Sequence, residues 1–251
     1  MLTTNYKKEM TSQKLVPIVL HRIVKEYSSE WEDVHINEWN KILQFASQSA
    51  NSENLDKMPL LITFDDGHDS DYDIVFPSII ENELSATFFI ITDRVGSKGY
   101  LNWAQISEMK KYGMKIGSHS KSHIDLTGVS LNIAEKEMSL SKKIIEDKLS
   151  SSIDALSFPY GLYNSELIDL ALSNYYDKVF TSQHGLANTT QKIIPRNSIN
   201  SKMRENEIFK VMEPNFKTVM SWRVEDRLKS VLKKSLGIKN YKKIRKIIAY
   251  K

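Results

Sequence analysis

The sequence predicts an α/β protein, and three stretches carry the prediction. Leu60–Phe64, Met114–Ile116 and the run opening at Ala155 are short, apolar and rich in β-formers. Each ends abruptly in polar or turn-forming residues: Asp65-Asp66-Gly67-His68, then Gly117-Ser118-His119-Ser120-Lys121-Ser122-His123, then Pro159-Tyr160-Gly161. Buried strands deliver side chains to a sheet edge in this way, and α/β proteins carry their chemistry at that edge.

The other elements follow from periodicity. Leu15–Leu20 reads as the first strand and brings His21 and Arg22 to its end. Asn37–Ser49 places Trp39, Ile42, Leu43 and Ala46 at helical spacing behind Asn37 as N-cap. Residues 51–59 are a polar connection. Ser70–Asn82 carries Tyr72, Val75, Phe76, Ile79 and Ile80 and reads as the next helix, with a kink or break at Pro77. Ala86–Ile91 is a strand, Thr92–Tyr100 a loop, and Asn102–Tyr112 a helix built on Trp103, Ile106 and Met109. Leu131–Leu149 alternates charged and apolar residues and reads as an outer helix. Ser165–Ser173 is a helix, and Lys178–Ser182 is a strand that delivers Gln183, His184 and Gly185.

Side chains alternate along an extended segment, so Asp65 and Asp66 do different jobs: one can bind a cation while the other moves a proton. Adjacent acids after a strand also serve as helix caps. The second cluster adds weight to the chemical reading. His119 and His123 are four apart, which puts both imidazoles on one face of a helical turn, as in zinc sites. Two imidazoles and one carboxylate, with a position left for water, make a catalytic site and not a structural one. The chain has no cysteine, so any metal is held by histidine and carboxylate.

Thr63-Phe64-Asp65-Asp66-Gly67, then His119 to His123, then Phe158-Pro159-Tyr160-Gly161, in this order, resemble the polysaccharide deacetylases of carbohydrate esterase family 4. The resemblance covers about residues 15–200 and implies a distorted (β/α) barrel with fewer than eight regular strands. It also implies an enzyme that removes acetyl groups from sugars with a divalent metal, usually zinc. On this resemblance Asp66, His119 and His123 hold the metal, Asp65 is the general base, and the backbone N–H of Tyr160, in the turn led by Pro159, stabilises the oxyanion. His21 matches the upstream catalytic histidine of the subgroup acting on poly-N-acetylglucosamine, although leucine stands where a tyrosine usually precedes it. His184 is its rival as proton donor. Arg196, in a late Pro-Arg segment, would orient Asp65. The chain departs from the family where Ser157-Phe158-Pro159 lacks an arginine before the proline, and where the late tryptophan and histidine motifs are missing.

Length suits one catalytic domain, residues 15–220, with an appendage, residues 221–251. The appendage carries 11 Lys and Arg against 2 Asp and Glu, a net charge of +9, whereas residues 1–220 carry 24 against 29, a net charge of −5. Trp222, Val224, Leu228, Val231, Leu232 and Leu236 read as one helical face, resumed by Ile238, Tyr241, Ile244, Ile247 and Ile248. Such a basic helical tail fits peripheral contact with an anionic membrane, or packing on the barrel or a partner; nucleic acid is not expected, since no binding motif accompanies the charge. Met1–Lys14 shows no apolar leader, so the expectation is a cytoplasmic protein, peripheral to the inner membrane face if the tail touches lipid. The expected activity is deacetylation of an N-acetylated sugar or glycan. Its alternatives are a related metal hydrolase acting on another amide or ester, and a non-catalytic carbohydrate-binding relative, against which an intact Asp65 argues.

Overall fold

The computed structural model describes residues 13–51, 57–228 and 231. In chain order the strands are β1 (Lys14–Leu20), β2 (Arg22–Val24), β3 (Asp33–His35), β4 (Leu60–Phe64), β5 (Ala86–Ile90), β6 (Lys115–Ser118), β7 (Ala155–Ser157), β8 (Lys178–Phe180), β9 (Ala187–Asn188), β10 (Ile193–Ile194) and β11 (Asn197–Ser198). Eight of them form one nearly closed sheet in the order β10-β8-β7-β6-β5-β4-β1-β11, with parallel pairing throughout. β9 adds to β1 in antiparallel fashion, and β2 pairs with β3 apart from the barrel. The two ends of the path, β10 and β11, are separated in the chain only by Pro195 and Arg196, so these residues span the seam of the barrel. Of the eight barrel strands, four are only two or three residues long, β7, β8, β10 and β11, and this shortness is the distortion.

Parallel strands covered on both sides are apolar throughout, and all five residues of β5 are buried. Phe88 and Phe89 nonetheless enter different clusters, as the strand alternation requires. Phe88 stacks on Phe64, which meets Trp39 of the outer helical layer. Phe89 joins Ala155, Phe180, Ala187 and Ile194 inside the barrel. A Cβ on Gly117 would lie 2.6 Å from the Phe89 ring, so the small residue makes room for the large one.

The helices are α1 (Ile36–Ala50), α2 (Phe76–Glu81), α3 (Trp103–Lys111), α4 (Leu131–Leu149), α5 (Ser165–Asn174) and α6 (Glu205–Met212), followed by helical residues 216–228. Trp39, Ile42, Leu43 and Ala46 are buried on α1, but its N-cap is His35, whose Nδ1 accepts from the Asn37 N–H at 3.2 Å. The helix expected over residues 70–82 is two pieces, a π-helical turn at Asp71–Val75 and then α2. Pro77 does not kink a helix; it stands in the first turn of α2, where no backbone donor is needed. The tail differs from expectation in its orientation. Trp222 is buried while Val224, Leu228 and Val231 are exposed, because a helix turns residues 222 and 224 well apart; Leu232 onward lies outside the described residues.

Candidate active site

Strand register brings the motifs to one edge. Leu20 pairs with Phe64 and Ile90 with Ser118, so His21, Asp65 and His119 leave the sheet at its C-terminal rim. The Asp65 N–H donates to the Leu20 carbonyl (3.0 Å) and the His119 N–H to the Ile90 carbonyl (2.9 Å), which ties β4 to β1 and β6 to β5 at that level. The chain then turns sharply at Asp66 (φ 77°) and Gly67 (φ 75°). Aspartate tolerates this left-handed region better than most residues, and at Gly67 a Cβ would also press on Ile90.

Asp65 is saturated. Both of its oxygens accept from Arg196 at 2.7 Å, and Oδ2 also accepts from Ser157 Oγ at 3.1 Å. Arg196 is itself buried, lying over Phe89 (5.3 Å) and Phe180 (5.8 Å) and donating further to Thr63 Oγ1, Ser157 Oγ and the Thr181 carbonyl. Burial alone would raise the Asp65 carboxyl, but Arg196 first and His119 next hold it down to about 2. It is a carboxylate at any working pH.

Asp66 is the opposite case. Its Oδ1 is buried and has no hydrogen-bond partner among the described residues, yet it lies 3.5 Å from His119 Nε2 and 3.4 Å from His123 Nε2. These separations match the edge of a tetrahedron with bonds of about 2.0–2.1 Å to a central ion. His119 Nδ1 donates to the Ser157 carbonyl (2.8 Å), so in the neutral ring Nε2 carries the lone pair that faces Asp66. Burial, with His119 as neighbour, pushes His123 down to about 4, which leaves a neutral imidazole at pH 7. The Asp66 carboxyl, opposed by burial but favoured by His68 and the other histidines, lies below the usual carboxylate range. The three ligand atoms fall within 4.8 Å of one another and fit a divalent cation. A second set, Glu32, Asp66 and His68, meets the same distance with Glu32 exposed.

His119 and His123 do not share a helical turn as their spacing predicted. The segment is a loop, and positive φ at Ser120 (63°) and His123 (60°) folds the two rings to 4.9 Å. His21 has a buried Nδ1 without a hydrogen-bond partner among the described residues, packs edge-on to Trp31 (5.8 Å), and is one of the charges that lower both aspartates. Tyr160 adopts φ 58° and sets its ring 4.5 Å from that of His123; Pro159 beneath it is buried. His184 is drawn elsewhere. Its Nδ1 and N–H both meet the Asp226 carboxylate (3.0 and 2.9 Å), its ring stacks on Trp222, and it lines a cleft of about 380 Å³. Sequence reasoning missed Ser157 and Asp71. Ser157 touches Asp65, Arg196 and His119 at once, and its place as the last residue of a strand was the available signal. Asp71 is fully buried, its oxygens have no partner among the described residues, and burial together with Asp66, Asp69 and Asp65 raises its carboxyl well above the ordinary value.

A nearly closed parallel sheet carrying, on one rim, an Asp-His-His set that could hold a cation beside an arginine-held aspartate defines a class of α/β barrels. The polysaccharide deacetylase profile matches residues 52–179, and the chain belongs to that family. It is 29% identical over 171 residues to YxkH of Bacillus subtilis, covering 66% of this chain and 61% of that one. It is 26% identical over 179 residues to the poly-β-1,6-N-acetyl-D-glucosamine N-deacetylase of Staphylococcus epidermidis, covering 63% and 60%. The chain thus spans about three fifths of the length of these curated relatives. Among solved structures, the Streptococcus pyogenes deacetylase PplD in complex with acetate superposes with a TM-score of 0.71 at 24% identity, over 81% of this chain and 100% of that one. IcaB from Ammonifex degensii gives 0.68 at 19%, over 80% and 96%. These likenesses show the deacetylase-type barrel.

Proposed function

We propose that this chain hydrolyses the N-acetyl groups of an amino-sugar glycan in a metal-dependent reaction, releasing acetate and a free amine. The observation that carries the reading is the contrast between two adjacent carboxylates, Asp65 held by Arg196 and Asp66 turned toward His119 and His123 with an unpartnered oxygen. The name of the staphylococcal relative supports the substrate class. A divalent cation held by Asp66, His119 and His123, with zinc first given the nitrogen and oxygen ligands, would acidify a water and polarise the acetyl carbonyl. Asp65, at about 2, takes a proton only from a water far more acidic than bulk, and so acts as general base in the loaded site. Arg196 and Ser157 fix its angle. The Tyr160 backbone N–H stabilises the tetrahedral oxyanion from the turn after Pro159. His21 protonates the departing sugar nitrogen; His184, engaged by Asp226, is the weaker candidate.

Metal content measured together with acetate release from N-acetylglucosamine oligomers tests this reading. Wild type should carry about one metal per chain and release acetate, His119→Ala should lose both, and Asp65→Asn should keep metal while losing turnover. Metal retention with no acetyl sugar cleaved would move the function to another amide or ester, and absence of metal in wild type would overturn the site.

A further inference from the structure

Helical residues 216–228, with Val231 beyond them, carry an apolar stripe that the catalytic reading does not use. Phe216, Met220, Val224, Leu228 and Val231 are between 39% and 79% exposed. At about 100° per residue they fall within an arc of about 120°, and Trp222 points about 180° from the middle of that arc. Trp222 is 7% exposed, its indole stacks on His184, and Asp226 one turn later accepts from the His184 N–H. The inward face is therefore fastened to the loop after β8, and the stripe faces away from the barrel.

We propose that this stripe docks the protein on an anionic lipid surface. Charge complementarity selects this occupant: Lys217 and Arg227 stand inside the arc and Arg223 just outside its edge, all exposed, and residues 221–251 carry a net charge of +9. Apolar side chains interspersed and flanked with Lys and Arg, whose long stems reach past them to the headgroups, suit a helix that lies in the headgroup boundary, where apolar burial and attraction to acidic lipid add. The loop after β8 belongs to the rim that also carries Asp65 and His119, so docking turns that rim toward the surface. Glycan tethered to or held near lipid is then the substrate pool within reach, a refinement that rests on the deacetylase reading; lipid docking itself does not.

Co-sedimentation of the full chain with vesicles of phosphatidylcholine alone, or with about 30% phosphatidylglycerol, tests the proposal. Wild type should pellet with the anionic vesicles at least about tenfold more than with the neutral ones, and less as salt rises. Val224→Asp combined with Leu228→Asp, both exposed, should lose at least about tenfold of that binding without change in the thermal melt. Arg223→Glu with Arg227→Glu should do the same through charge. Equal binding by wild type and the aspartate variant, or no binding to anionic vesicles, overturns the proposal. So does a dimer of wild type that the aspartate variant dissolves while neither binds lipid, since it assigns the stripe to a second copy. Acetate release from soluble oligomers should be equal in wild type and variant. Its failure in both would count against the deacetylase reading and leave the vesicle result standing.

Discussion

Asp65 and Asp66 are neighbours in the chain, both buried, and treated in opposite ways. Around Asp65 the protein supplies every partner: a two-pronged arginine, a serine hydroxyl and two aromatic faces behind the arginine. Around Asp66 it supplies only groups that share the appetite for a cation, two imidazole nitrogens at 3.4–3.5 Å and a third, His68 Nε2, at 3.8 Å. The difference teaches that one side of the strand end is satisfied by folding alone, while on the other folding leaves a buried carboxylate oxygen without a hydrogen-bond partner among the described residues.

The largest effect that breaks this contrast is Asp65→Asn, which should lower kcat about a hundred- to ten-thousand-fold in acetate release while metal content persists. Loss of metal in that variant would show that the two sides are not separable. Arg196→Ala should cost about 3–5 kcal/mol in denaturant unfolding by leaving Asp65 buried and unpaired. Arg196→Lys, which keeps the charge without the fork, should recover part of that stability but little of the turnover. On the other side, zinc at about a hundred times its Kd should raise wild-type stability by about 2.7 kcal/mol, and Asp66→Asn should abolish that gain. The smallest effect concerns sign. Asp65, held at about 2, adds stability above pH about 4 that is lost as pH falls through its folded value. Asp71, whose carboxyl is raised, does the reverse: it costs nothing in acid and its cost grows as pH rises past about 4. Asp71→Asn should therefore stabilise by about 1 kcal/mol at pH 7 and leave thermal melts at pH 3 unchanged.

Much of this was legible in the sequence because strand ends announce themselves. An apolar run stopping at Asp65-Asp66-Gly67, or before His119, fixes both the element and the rim on which its polar residues emerge. What periodicity could not convey was conformation inside the loops. His119 and His123 come together, but through two left-handed residues that no spacing rule encodes. The Arg196–Asp65 pair was reachable only through family resemblance, since its partners lie 131 positions apart in the chain. Asp71 gave no pattern of its own, and the strand-end position of Ser157 was its only signal, because the importance of both comes from what the fold packs around them. The tail shows the same limit: its charge was plain from composition, but only the packing of Trp222 tells which side of the helix faces out.

Arg196 also sits at the barrel's seam, between the last strand at one end of the sheet and the strand that joins β1 at the other. Its guanidinium reaches across the barrel to the Asp65 carboxylate at the end of β4. One side chain thus works as a crossbar: the link that brings the two ends of the sheet together is also the link that sets the angle of a buried acid on the opposite strand.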